Sequence, residues 1–158
     1  MSRYQDIFNF FRMGLVTGLV TPKELITWAD REILSSDIPQ EEVMELAFSE
    51  RKSLSQQVYL LNHFQGNASY DPSLKWLFAR AWCLLEQDPE LAVKILQGLR
   101  LLNAEMYLPD TIRKQITGLD SYLALYNDEQ ISSKLLHTEL IAFLQPYESY
   151  LDQVNELI

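Results

Sequence analysis

The chain has 158 residues, 13 Lys and Arg against 22 Asp and Glu, and a formal net charge of -9. With 47% hydrophobic residues and five Gly, this composition fits one globular domain over 1–158 and excludes a disordered, collagen-like or linker-rich chain. The acidic balance argues against nucleic acid or an anionic membrane as a direct partner, since both are polyanions, and leaves a solubilising surface or a basic partner protein.

The run from Ile7 to Val20 is apolar, but Asn9 and Arg12 interrupt it and no small-residue cleavage site follows. It is also short of the roughly 20 apolar residues of a membrane span, so it reads as an amphipathic helix over 3–17 that ends at Gly18. Thr21-Pro22-Lys23-Glu24 is a capping box with proline in the first helical position, predicting a helix over 22–34. Ser35-Ser36-Asp37 turns the chain into a helix over 38–48. A second capping box, Ser53-Leu54-Ser55-Gln56, opens a helix that stops at Gly66. Asp71-Pro72 and Asp88-Pro89 repeat the pattern of a capping side chain before proline and predict helices over 72–86 and 89–103. Their spacing, one helix plus a turn, is that of a helical hairpin. In the next helix, over 109–126, Ile112, Ile116, Leu119 and Leu123 recur on one face. A helix over 130–144 and a segment from Pro146 to the end complete the series. No stretch alternates as a half-buried strand does, and no Asn-Gly or Asp-Gly hairpin dipeptide occurs. Short connections predict antiparallel neighbours. The expected fold is all-α, an antiparallel bundle of eight or nine helices with a repeat-like hairpin in the middle.

The motifs of catalysis are missing: there is no Gly-rich phosphate loop, no Gly-x-Ser-x-Gly and no Cys-x-x-Cys. His63 and His137 have no second histidine or acid at metal-ligand spacing, and Glu42 and Glu45, one turn apart, lack a matching pair elsewhere. Cys83 is the one cysteine, so no internal disulfide forms; in Ala81-Trp82-Cys83-Leu84-Leu85 it reads as a small buried hydrophobe. Trp28, Trp76 and Trp82 read as core. These features predict a cytoplasmic, non-enzymatic protein with no catalytic residue, no cofactor and no metal.

Charge is the informative feature. From Asp30 to Glu50 seven acids face one base, Arg31, a local charge of -6; from Leu135 to Ile158 four acids face no Lys or Arg. Asp37, Glu41, Glu42 and Glu45 therefore stand as candidate partner-binding residues, since complementary charge speeds encounter and excludes wrong partners. The competing reading is a solvated face on which Glu41 and Glu42 complement a helix dipole. Near the end, Tyr147, Glu148, Tyr150 and Asp152 form a second candidate surface, because tyrosines among acids suit an interface. Here the competing reading is that the tyrosines anchor the last helix to the bundle.

Gly14-Leu15-Val16-Thr17-Gly18-Leu19-Val20-Thr21-Pro22-Lys23-Glu24-Leu25-Ile26-Thr27-Trp28-Ala29-Asp30, with Ile38-Pro39 and Glu45-Leu46-Ala47, resembles a small group of uncharacterised all-helical bacterial proteins. Some of these resemble the immunity proteins that protect a bacterium from its own contact-delivered toxins. The resemblance covers about the first 65 residues. It implies a cytosolic inhibitor whose acidic helical surface occludes the basic site of a toxin domain such as a nuclease. An adaptor binding a peptide in a groove between the fourth and seventh helices is the alternative. An enzyme would need a pocket joining His63 or His137 to a carboxylate.

Overall fold

A computed structural model describes residues 3–66 and 70–158. Among them are nine α-helices and no strand: α1 (Arg3–Thr17), α2 (Pro22–Ser35), α3 (Glu41–Ala47), α4 (Leu54–Phe64), α5 (Ser73–Gln87), α6 (Ala92–Glu105), α7 (Asp110–Asn127), α8 (Ser133–Leu144) and α9 (Leu151–Leu157). Tighter 3-10 turns at Phe48–Arg51, Pro89–Leu91 and Gln145–Tyr150 lead out of α3, into α6 and into α9. The all-α bundle expected from the sequence is the fold observed.

The bundle is organised around α1, which packs against α4, α5 and α6. The helix is amphipathic, as the sequence suggests, with a narrow polar side: Gln5, Arg12 and Val16 share one half-exposed strip, and the rest of the surface from Ile7 to Thr17 is buried. Its aromatic side chains reach three neighbours: Phe11 lies 5.3 Å from the Trp28 ring of α2, Phe8 5.9 Å from Phe64 of α4, and Phe10 6.2 Å from Trp76 of α5. The polar interruptions of this apolar run are structural. Asn9 is fully buried and donates from Nδ2 to Ser73 Oγ at 2.9 Å, while Arg12 Nη2 donates to Asn9 Oδ1 at 3.0 Å. Buried amides of this kind must be paired, so the pair fixes the register of α1 against α5. Gly98 of α6 permits the close approach to α1; a Cβ there would stand 2.7 Å from the Thr17 carbonyl oxygen.

The capping boxes form as read. Thr21 Oγ1 accepts from Glu24 N and Glu24 Oε1 accepts from Thr21 N; Ser53 and Gln56 exchange the same pair of bonds. Gly18 takes φ 76 at the end of α1, the left-handed conformation that terminates helices. Glu24 is used twice, since its Oε2 also accepts from Arg80 Nη2 at 2.8 Å, while Arg80 Nε donates to the Leu19 carbonyl at 3.0 Å. One α5 arginine thereby clamps the α1–α2 connection.

Several expected starts move. The third helix begins at Glu41, not at 38, because the residue before Pro39 is pushed out of helical backbone, leaving Ile38 outside. Asp71 does not cap α5; the helix starts at Ser73, and the Asp71 carboxylate pairs with Lys75 Nζ at 3.1 Å. Asp88 does cap, accepting from Glu90 N, but its proline opens a 3-10 turn ahead of α6. α8 begins at Ser133 because Ser132 Oγ accepts from Leu135 N at 3.1 Å. Pro146 falls within a 3-10 turn, and α9 begins five residues later at Leu151. The hairpin expected from the second and third cap-proline pairs is loose: α1 packs on both α5 and α6, and α5 turns its other side to the C-terminal segment. Cys83 is half-buried rather than buried, with Gln87 Nε2 donating to Sγ at 3.5 Å. Among the described residues no helix is long and apolar enough to cross a membrane.

Candidate functional site: an acidic helical face

α3 is a seven-residue helix that spends two side chains, Val43 and Leu46, on the core, against the Leu25, Trp28 and Ala29 side of α2. It is held from below by a buried polar pair: Gln57 of α4 donates from Nε2 to the Ser49 carbonyl at 3.1 Å, and Ser49 Oγ donates to the Leu46 carbonyl at 2.6 Å. Met44 and Ala47 are half-buried, and the other three positions face water. Glu41, Glu42 and Glu45 are exposed, as is Asp37 in the preceding turn. Together with Gln5, His63 and Gly66 the three glutamates line a shallow cleft where α3 meets α1 and α4.

Among the described residues Asp37, Glu41, Glu42 and Glu45 form no ion pair. The one base of the segment, Arg31, is used elsewhere: its Nη2 donates to the Glu156 and Leu157 carbonyls at 3.1 and 2.8 Å, capping the end of α9. Like charges at this spacing repel by a few tenths of a kcal/mol per pair. Glu41 and Glu42 recover part of that cost at the positive end of the helix. The face thus carries more negative charge than its own helix needs.

His63 shares the cleft with three carboxylates, a juxtaposition across α3 and α4 that no local spacing in the sequence signals. Among the described residues no hydrogen bond or ion pair joins its ring to them, and no group of three or more His, Cys, Asp or Glu is arranged to hold a metal ion.

The second candidate surface is placed differently. Tyr147 is half-buried against Phe78 and Phe143, with ring centroids 4.9 and 6.1 Å away, and burial pushes its phenol above the usual tyrosine range. Tyr150 lies under Lys75, whose Nζ is 5.4 Å from the ring centre. Asp71, ahead of Tyr150, is the chief cause that raises the Lys75 ammonium above its ordinary value. Residues three apart eclipse in a 3-10 turn, so both tyrosines face α5 and anchor the C-terminal segment there. Glu148 and Asp152 remain exposed. Beside Tyr147 an apolar cleft opens between α5, the start of α7 and the C-terminal segment, lined by Leu74, Phe78, Pro109 and Ile112 with the Asp71–Lys75 pair at its edge.

Sequence reasoning missed the apolar side chains left in water beside the α3 acids. Leu34, Ile38 and Phe48 are 87%, 87% and 81% exposed. The signal was present: Leu34 is off the Leu25–Trp28–Ala29 stripe, Ile38 precedes a proline, and Phe48 continues the Glu41–Glu45 stripe rather than that of Val43 and Leu46.

What the fold and this face define is an all-α bundle with an acidic surface whose carboxylates form no ion pair among the described residues. No protein-family model, curated protein or solved structure matches the chain.

Proposed function

We propose that the chain is a non-enzymatic binding protein of immunity type, whose α3 face docks onto the basic active site of a toxin domain, a nuclease being the class that fits best. The observation that carries this reading is the set of four exposed acids, Asp37, Glu41, Glu42 and Glu45, from which the neighbouring base has been withdrawn. A nuclease site is built to hold phosphates, and carboxylates spaced along a rigid helix can occupy the same cationic positions while the bundle blocks entry. The C-terminal tyrosines are half-buried in packing against α5, so this reading rests first on α3 and leaves Tyr147, Glu148, Tyr150 and Asp152 as a peripheral rim. The test is capture of partners by the tagged chain from lysate of its native host, run beside the E41K/E42K/E45K variant. A stoichiometric basic protein, bound at low salt and lost with the triple reversal, supports the reading; a partner held equally by the variant removes α3 from it.

A second reading is an adaptor that receives a peptide, favoured by the apolar cleft at Leu74, Phe78 and Ile112. It predicts micromolar peptide binding that depends less on salt and is lost on Ile112→Glu.

A further inference from the structure

Three exposed apolar side chains that the bundle does not use stand at the two ends of the acidic helix, and from them we infer that its partner presents apolar sockets within a cationic surface, Leu34 and Ile38 entering one and Phe48 another. The inference deepens the docking reading of α3 and rests on it. Single exposed apolar residues are ordinary on any protein surface. These three are distinguished by placement, since they bracket one acidic helix. Leu34 is in the last turn of α2, Ile38 in the connection that enters α3, and Phe48 at its exit. Between these ends α3 rises about 10 Å and carries Glu41, Glu42 and Glu45, with Asp37 beside Ile38.

Charge selects the occupant. A second copy of this chain would bring like charges together around every apolar contact, which costs affinity, whereas a cationic surface would be attracted to it. The two kinds of side chain then divide the work. The acids raise the encounter rate and make it salt-sensitive, while apolar side chains leaving water within a charged rim slow dissociation. None of the three is needed by the fold, so each can be removed without loss of the bundle.

The experiment titrates the full chain with two synthetic helical peptides of about 14 residues and equal positive charge, one of Lys and Leu in an amphipathic pattern and one with every Leu replaced by Ala. At about 150 mM salt the Leu peptide is expected to bind at least about tenfold more tightly, ~1.4 kcal/mol. Backbone amide shifts should centre on residues 33–50. The L34S/I38S variant is expected to erase that difference at an unchanged Tm, with Phe48→Ser as the independent check at the other end of the helix. Equal, salt-sensitive affinity for both peptides would overturn the sockets and leave the acidic docking surface standing. Failure of both peptides to bind in a salt-dependent way would overturn both. Shifts centred on the Leu74–Ile112 cleft would move the apolar site there. A dimer in sedimentation that L34S/I38S dissolves would replace the basic partner by a second copy.

Discussion

α1 and α3 are built from opposite logic. Nine of the fifteen residues of α1 are buried, and its two buried polar side chains are both bonded, Asn9 to Ser73 and Thr17 to the Met13 carbonyl. Only two of the seven residues of α3 are buried, and its acids bond to nothing among the described residues. α1 is explained once its packing is described. α3 is not, because a short surface helix needs neither three glutamates without counter-charges nor bulky apolar side chains at both its ends. What stability does not account for is where function is sought.

That contrast can be broken most sharply in the core. Phe11 is fully buried, with rings 5.3 Å away on both Phe10 and Trp28, so Phe11→Ala should cost ~3–5 kcal/mol in chemical denaturation. A loss under about 1 kcal/mol would show that α1 is not the centre of the fold. Next is Arg80→Ala, which removes the clamp on Glu24 and Leu19; with both partners about one-fifth exposed, ~1–3 kcal/mol is expected by the same measurement. Gly98→Ala should cost a similar ~1–3 kcal/mol, because the new methyl meets the Thr17 backbone rather than a movable side chain. Tyr4→Phe is smaller, about 1 kcal/mol, for the bond that Tyr4 donates to Glu32 Oε2 at 2.8 Å.

Tyr4 also sets a pH signature. Burial first, then the bond to Glu32, raise its phenol above the ordinary 10.0. A raised folded-state value means that this stabilisation is complete below the unfolded value and drains as pH rises through the folded one. Wild type and Tyr4→Phe should therefore differ most at neutral pH and converge in alkaline melts. On α3 and its approach the outcome reverses: E41K/E42K/E45K and L34S/I38S should shift stability by no more than ~0.5 kcal/mol in either direction. Partner binding should carry the whole effect.

Much of the fold was legible because its punctuation is local. Capping boxes at Thr21 and Ser53 and the glycine at 18 act through bonds within four residues, and they placed α1, α2 and α4 almost to the residue. Asp71-Pro72 looked like the same punctuation and was not, since Lys75 four residues on competes for the carboxylate. The centrality of α1 was hidden because Asn9 and Arg12 read as a polar face until Ser73 and Asn62, 64 and 50 residues away, supply their partners. On the acidic face the charges were legible as composition, whereas their lack of counter-charge was not: it depends on Arg31 reaching across 125 and 126 residues of chain to the end of α9. The exposed Leu34, Ile38 and Phe48 lie within reach of a helical-face count, since each falls off the apolar stripe of its segment.

The most direct test is the association rate of the captured basic partner with the wild-type chain and with E41K/E42K/E45K across a salt series. The account predicts a fast wild-type rate that falls steeply with salt and a variant rate at least about tenfold slower at low salt and nearly flat. Two superimposable curves would contradict it, and would make the acids of α3 a solvated surface and nothing more.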